Sequence, residues 1–234
     1  MIRLASQEKI AVTLGDASGI GPEVAVKAFA RWPGSKKSAL VLGPAALYNA
    51  LAKKLSVRLF FKEVSAEADW KNPKGFIPCY FPFKIPPRVS RGRWSREWTV
   101  LAVRSIELAA RLALTGKVGA IVTAPINKAG LKKAGFNIPG HTEYLAKLSK
   151  IRNYEMMLVG GPLRVVVITR HLASRDVSKN LSAQNIREAI LLTDRELKRS
   201  FGIKNPSLAV CGLNPHAGEE GRFGDEEIKK ITPA

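Results

Sequence analysis

The chain alternates short apolar runs with longer stretches in which apolar residues recur at helical spacing. The runs at residues 9–14, 39–42, 57–61, 120–122, 165–169 and 208–211 are rich in Val, Ile, Leu and Ala and predict strands. Residues 22–32, 44–54, 98–114, 142–149 and 182–201 predict helices, and a further helix starts at Asp225. The boundaries carry their own signals. Pro22 and Glu23 suit a first helical turn, where a missing N–H costs nothing and a carboxylate complements the dipole. Pro33-Gly34 and Gly116 end helices, and Ser182 or Ala183 stands near an N-cap. Strands alternating with helices predict an α/β fold: a mostly parallel sheet, helices on its faces, and a site at the carboxyl ends of the strands.

One segment breaks this pattern. Between Glu63 and Glu97, Pro73, Pro78, Pro82, Pro86 and Pro87 interleave with aromatic residues. Proline at that density excludes a helix and confines any strand to a sheet edge. The segment reads as an extended, partly packed connection with Arg88, Arg91, Arg93 and Arg96 on a solvated stretch.

Candidate chemistry gathers where predicted strands end. The chain has three histidines. His141 follows Gly140 at a predicted helix start, where His141 and Thr142 suit an anion such as phosphate; the alternative is a plain N-cap with Glu143 in the first turn. His171 follows the run at 165–169 and His216 the run at 208–211, so both are expected to project from strand ends as a candidate metal pair. Imidazole suits Zn²⁺, Co²⁺ or Fe²⁺, with a third protein ligand expected; the alternative is two hydrogen-bonded loop histidines. Gly15-Asp16-Ala17-Ser18-Gly19-Ile20-Gly21 has neither the dinucleotide nor the Walker glycine spacing. It reads equally as a structural turn, with Asp16 bonding backbone N–H groups, or as a ligand contact.

Composition narrows the classes. No apolar run approaches the ~20 residues of a membrane helix, and the pattern at the start leads to the expectation of no secretion leader. Cys79 and Cys211 form no CxxC, so reduced thiols in the cytoplasm are expected. The net charge of +19 admits nucleic-acid binding, but the cations are dispersed and no recognition motif accompanies them, so a basic surface that attracts an anionic substrate is the preferred reading.

The motifs GDASGIGPE, VTAPINK followed by GHTEYLA, PLRVVVITRHL and LNPHAGEEGRFGDEE occur in order and span residues 9–234. Together they resemble the 4-hydroxythreonine-4-phosphate dehydrogenase family of pyridoxal 5′-phosphate biosynthesis. The resemblance implies a two-lobed α/β/α enzyme of the isocitrate/isopropylmalate dehydrogenase type, with lobes at 1–118 and 119–234. It also implies a homodimer with its site at the interface. His171 and His216 would contribute to a divalent metal site (Zn, Co or Mg) completed by a third histidine, while His141 and Thr142 would contact substrate. The implied reaction is metal-dependent oxidation of 4-phosphohydroxy-L-threonine by NAD or NADP, then loss of CO₂ to give 3-amino-2-oxopropyl phosphate. A phosphorylated four-carbon sugar acid is the alternative substrate. Two departures stand out. Arg170 replaces the family's usual Thr beside the metal histidine, where it would meet a substrate anion or disfavour the metal. No histidine follows His216, and family chains continue further, so a truncated form, even a non-catalytic remnant, is the rival expectation.

Overall fold

The computed structural model describes residues 9–65, 69–70 and 73–234. Residues 1–8, part of the stretch in which a secretion leader was sought, lie outside the described residues. The chain divides into two compact units, one ending at Lys150 and the other beginning at Ile151. No helix among the described residues is long and apolar enough to cross a membrane.

The first unit is built on a five-stranded sheet: β1 (Ile10–Thr13), β2 (Ala39–Leu42), β3 (Phe61–Glu63), β4 (Ile77–Cys79) and β5 (Ala120–Val122), in the order β3-β4-β2-β1-β5. All pairings are parallel, as the strand–helix alternation predicts. The central strands are apolar on both faces because both faces are covered. Val12 and Val41 point into a cluster with Val26 and Phe29 of α1 (Gly21–Arg31). Tyr48 and Leu51 join it from α3 (Ala45–Lys54), which is separated from α1 by the short α2 (Ser35–Ser38). Ala11, Leu40 and Leu42 point the other way, onto Leu108, Ala109 and Leu112 of α4 (Arg96–Leu114). Helix α4 begins two residues earlier than its apolar pattern suggests, because Ser95 caps it by accepting from the Trp98 N–H. Two further helices, α5 (Lys128–Lys133) and α6 (His141–Ser149), pack against α4.

Two expectations about the sheet need correction. The third strand forms at Phe61–Glu63 rather than at 57–61. Asn49 of α3 both donates to the Phe61 carbonyl (2.8 Å) and accepts from its N–H (2.9 Å), which pins the strand's start. The proline-rich segment also supplies β4, and β4 is an interior strand, not an edge. The alternation of a parallel ladder explains how Pro78 is tolerated. Ile77 donates to Phe60, and the Cys79 carbonyl accepts from Val64, so these residues face β3. Pro78 therefore faces β2, where pairing is confined to Val41–Cys79 and a Tyr80 N–H to Val41 carbonyl bond. Its missing donor falls where the ladder has barely begun.

The second unit contains an antiparallel hairpin, β6 (Met157–Gly160) with β7 (Leu163–Val166), turned at Gly161-Pro162. The strand expected at 165–169 is thus shifted back into this hairpin and ends before Arg170. Residues 208–211 form no strand: no neighbouring strand pairs with them, and Leu208 and Val210 are exposed. After the short α7 (Val177–Asn180), α8 (Ala183–Arg199) starts at Ser182 with a reciprocal capping box to Asn185. The helix expected from Asp225 is one π-helical turn, Glu227–Ile231.

A buried serine ties the first unit's layers together. Ser105 of α4 accepts from the Leu14 N–H (2.8 Å), just beyond β1, and donates to the carbonyl of Leu42 (2.9 Å), the last residue of β2. Ser105→Ala leaves both backbone groups unpaired in a dry layer, and urea unfolding should show a loss of about 1–3 kcal/mol. A loss within ~0.5 kcal/mol, the range of ordinary surface changes, would show that the serine is dispensable.

Candidate active site

The carboxyl ends of β1 and β5 meet in a tight backbone arrangement. The Thr13 hydroxyl accepts from the Ala124 N–H (3.1 Å), and the Asp16 N–H donates to the Pro125 carbonyl (2.9 Å). Gly15 has φ +65°, and a β-carbon there would stand 2.7 Å from both the Ala124 Cβ and the Pro125 oxygen. Only glycine satisfies both the angle and the approach. Asp16 then closes the loop: its carboxylate accepts from the Ser18 N–H (2.9 Å) and its carbonyl from the Gly19 N–H (3.1 Å). The glycine-rich stretch is therefore a structural turn of the expected Asp16-bonded kind, clamped to the turn after β5.

The same turn orients His141. The imidazole faces the Ala124 carbonyl, while Nε2 is shielded from solvent and has no partner among the described residues. Burial holds the His141 pKa below its ordinary value; the Ala124 carbonyl opposes the shift and nearby Lys128 reinforces it. The ring is accordingly neutral at pH 7. With Nδ1–H on the carbonyl, Nε2 presents a bare lone pair. His141 and Thr142 open α6 after Gly140, which offers no side-chain cap, so the first-turn N–H groups stay open to an anion. Glu143 folds its carboxylate back over Gly140, and the Lys128 ammonium approaches the same glycine. Lys128 was not singled out from the sequence, although it ends the motif VTAPINK.

In the second unit, His171 (φ 56°) and His216 (φ 51°) both occupy left-handed backbone on exposed loops. That conformation costs an L-residue about 1–2 kcal/mol, and such strain concentrates at functional sites. Neither histidine follows its strand directly, since β7 ends at Val166 and 208–211 is unpaired. Among the described residues, no three His, Cys, Asp or Glu side chains gather as a metal site. Two exposed imidazoles are an incomplete donor set, since the expected metal calls for at least a third protein ligand. Arg170 is already engaged: it pairs with Glu155 and lies over the Tyr154 ring, 5.3 Å from its centre.

The loop carrying His216 is held by two glutamates that sequence reasoning missed. One oxygen of Glu227 accepts from the Leu213 and Asn214 N–H groups, both at 2.7 Å, and the other from the Asn214 side-chain amide at 2.9 Å. Glu226 accepts from the same amide at 2.7 Å and from the Ser178 hydroxyl. These donors hold both carboxyls below their ordinary pKa. The Asn214 N–H dominates for Glu227, and the Ser178 hydroxyl takes Glu226 down to about 2.

Glu227→Ala should release the Leu213 and Asn214 amides, read as faster hydrogen exchange there while β1 and β2 amides stay protected. Because both folded-state pKa values are depressed, the clamp's stabilisation is complete above the ordinary carboxyl value of 4.5. It is lost as pH falls toward the Glu226 value of about 2. Protection at Leu213 and Asn214 that survives the substitution would place the hold elsewhere.

With this geometry in view, comparison with known proteins is specific. Residues 35–234 match the family described as "Pyridoxal phosphate biosynthetic protein PdxA". The D-threonate 4-phosphate dehydrogenase of Pectobacterium atrosepticum is 40% identical over 96% of this chain and 69% of its own length. The 4-hydroxythreonine-4-phosphate dehydrogenase of Desulfosudis oleivorans is 41% identical over 96% of this chain and 67% of its own. The crystal structure of 4-hydroxythreonine-4-phosphate dehydrogenase from Klebsiella pneumoniae superposes with a TM-score of 0.86 at 38% identity, over 97% of this chain and 70% of that one. The chain belongs to the PdxA family of dehydrogenases.

Proposed function

We propose that this dehydrogenase oxidises the C3 hydroxyl of a four-carbon, 4-phosphorylated 3-hydroxy acid, with NAD or NADP taking the hydride. The reading rests on one observation: relatives of nearly equal identity, 40% and 41%, are named for two such acids that differ at C2, where one carries a hydroxyl and the other an amino group. The first reading is 4-phosphohydroxy-L-threonine as substrate in pyridoxine biosynthesis. Oxidation at C3 then gives a β-keto acid, which loses CO₂ to 3-amino-2-oxopropyl phosphate. D-threonate 4-phosphate is the second reading, favoured by the Pectobacterium relative.

The chain's own residues support binding and orientation. The first turn of α6, with Thr142 and Lys128, suits the phosphate, since N–H groups and an ammonium converge there and the Glu143 carboxylate, folded over Gly140, would swing out to admit it. The lone pair of His141 Nε2 suits a hydrogen bond from a substrate O–H, so neutral His141 would hold the substrate's register. When bound, the nicotinamide accepts the hydride; the surrounding protein positions the alcohol against it. A metal at His171 and His216 would need donors beyond those gathered here, which the two-copy assembly implied by the resemblance could supply, and no step above depends on it.

The test is turnover of the full chain with each acid and with NAD or NADP, with metal content measured alongside. His141→Gln and Thr142→Val should raise KM about tenfold or more with a smaller change in kcat, the signature of lost substrate binding. The His141 ring, followed by NMR, should titrate below its ordinary 6.5. A folded chain inactive with both acids and both cofactors would overturn the reading. Unchanged KM in both variants would remove His141 and Thr142 from the site.

A further inference from the structure

An open cleft of about 690 Å³ lies in the first unit, between the proline-rich segment and the first turns of α4. That volume lies within the range of small-molecule sites, about 300–1,000 Å³. Its floor is apolar: Ile85, Pro86, Pro87, Val100 and Leu101. The two prolines bring no N–H group to it, so the floor offers flat apolar surface without backbone donors. Its rim is cationic: Lys84, Arg88, Arg96 and Arg104. The single carboxylate among the lining residues, Glu97, is engaged by the Ser95 hydroxyl at 2.6 Å. Ser95 in turn caps α4 by accepting from the Trp98 N–H, and the rim's charge comes from the side chains.

The rim is partly ordered in advance. The Arg104 guanidinium lies over the Phe83 ring, 5.6 Å from its centre. The backbone at Arg88 is pinned to α4, because its carbonyl accepts from the Trp98 indole at 2.8 Å. None of these residues belongs to the arrangement around His141 or to the His216 loop, and nothing in the proposed dehydrogenase reaction uses them.

We propose that this cleft binds a small molecule with a flat apolar body and a phosphate group, of the aryl phosphate class. An apolar floor with four cations around it cannot be fully satisfied by an inorganic anion, which leaves the floor wet. A neutral apolar molecule covers the floor but makes no use of the Lys84, Arg88 and Arg104 charges, whereas Arg96 already lies beside the Glu97 carboxylate. A planar ring against Pro86, Pro87 and Val100, with its phosphate toward Arg88 and Arg104, meets both demands. The inference stands apart from the dehydrogenase reading and survives its failure.

The test is fluorescence titration of the full chain with 1-naphthyl phosphate, with 1-naphthol and inorganic phosphate as separate arms. Saturable one-to-one binding is expected, with 1-naphthol at least about tenfold weaker and inorganic phosphate a poor competitor. The Arg88→Gln/Arg104→Gln double variant should weaken binding by about tenfold or more, and rising salt should weaken the wild type. Val100→Glu places a carboxylate on the floor and should abolish binding with the melting temperature held. Equal binding of 1-naphthol would reduce the site to a greasy groove, and equal competition by inorganic phosphate would reduce it to a counter-ion site. Wild-type affinity in the arginine variant, whose altered side chains are exposed and so should not disturb folding, would place the ligand elsewhere; each of these outcomes overturns the proposal.

Discussion

Gly15 sits so close to Ala124 and Pro125 that a β-carbon would fall 2.7 Å from the Ala124 Cβ and from the Pro125 carbonyl oxygen. That approach fixes the distance between the turns that follow β1 and β5, and two hydrogen bonds, Thr13 to Ala124 and Asp16 to Pro125, lock it. Much of the candidate site follows from it. With the Ala124 N–H committed to Thr13, its carbonyl is left to face the His141 ring. That carbonyl selects the tautomer in which Nε2 is bare. A methyl group at residue 15 would push the two turns apart and unset the histidine without touching it.

The second unit solves a related problem by different means. His171 and His216 occupy backbone that L-residues disfavour, and His216 and Ala217 do so in succession. A loop of that kind persists only if its neighbours over-determine it. Glu227 does this by collecting three N–H donors from Leu213 and Asn214, and Glu226 takes a further bond from the Asn214 amide. Carboxylates that accept several N–H bonds remain ionised well into acid, so the hold is electrostatic and persists through the neutral range.

The first unit was largely legible because its signals are local. Strand runs, Pro22 at a helix start and Gly116 after a helix end each act within a few residues. The interior placement of β4 was not, because tolerance of Pro78 depends on which neighbour that residue faces, a property of the assembled ladder. Residues 208–211 misled for the converse reason: a short apolar run has the look of a strand, but a strand exists only where another pairs with it. The helix start at His141 and Thr142 was legible through the Gly140 punctuation before α6. Glu226 and Glu227 were not, since a pair of acids in a charged tail looks solvated until Asn214 is seen to fold onto it.

The basic charge can now be divided by what each cation touches. Lys27 and Lys198 meet carboxylates one helical turn away, exposed pairs of small energetic weight. Arg170 is spent on Glu155 and Tyr154. Lys128 stands at the open end of α6 beside His141, and the cations around Pro86 and Pro87 ring an apolar cleft. A uniform basic coat would draw anions everywhere and hold them nowhere. Here the cations whose surroundings offer more than charge are those set against an open helix terminus or an apolar floor. Only such settings convert long-range attraction into binding at a defined place, because desolvated surface or directed N–H groups must supply what screened charge alone does not.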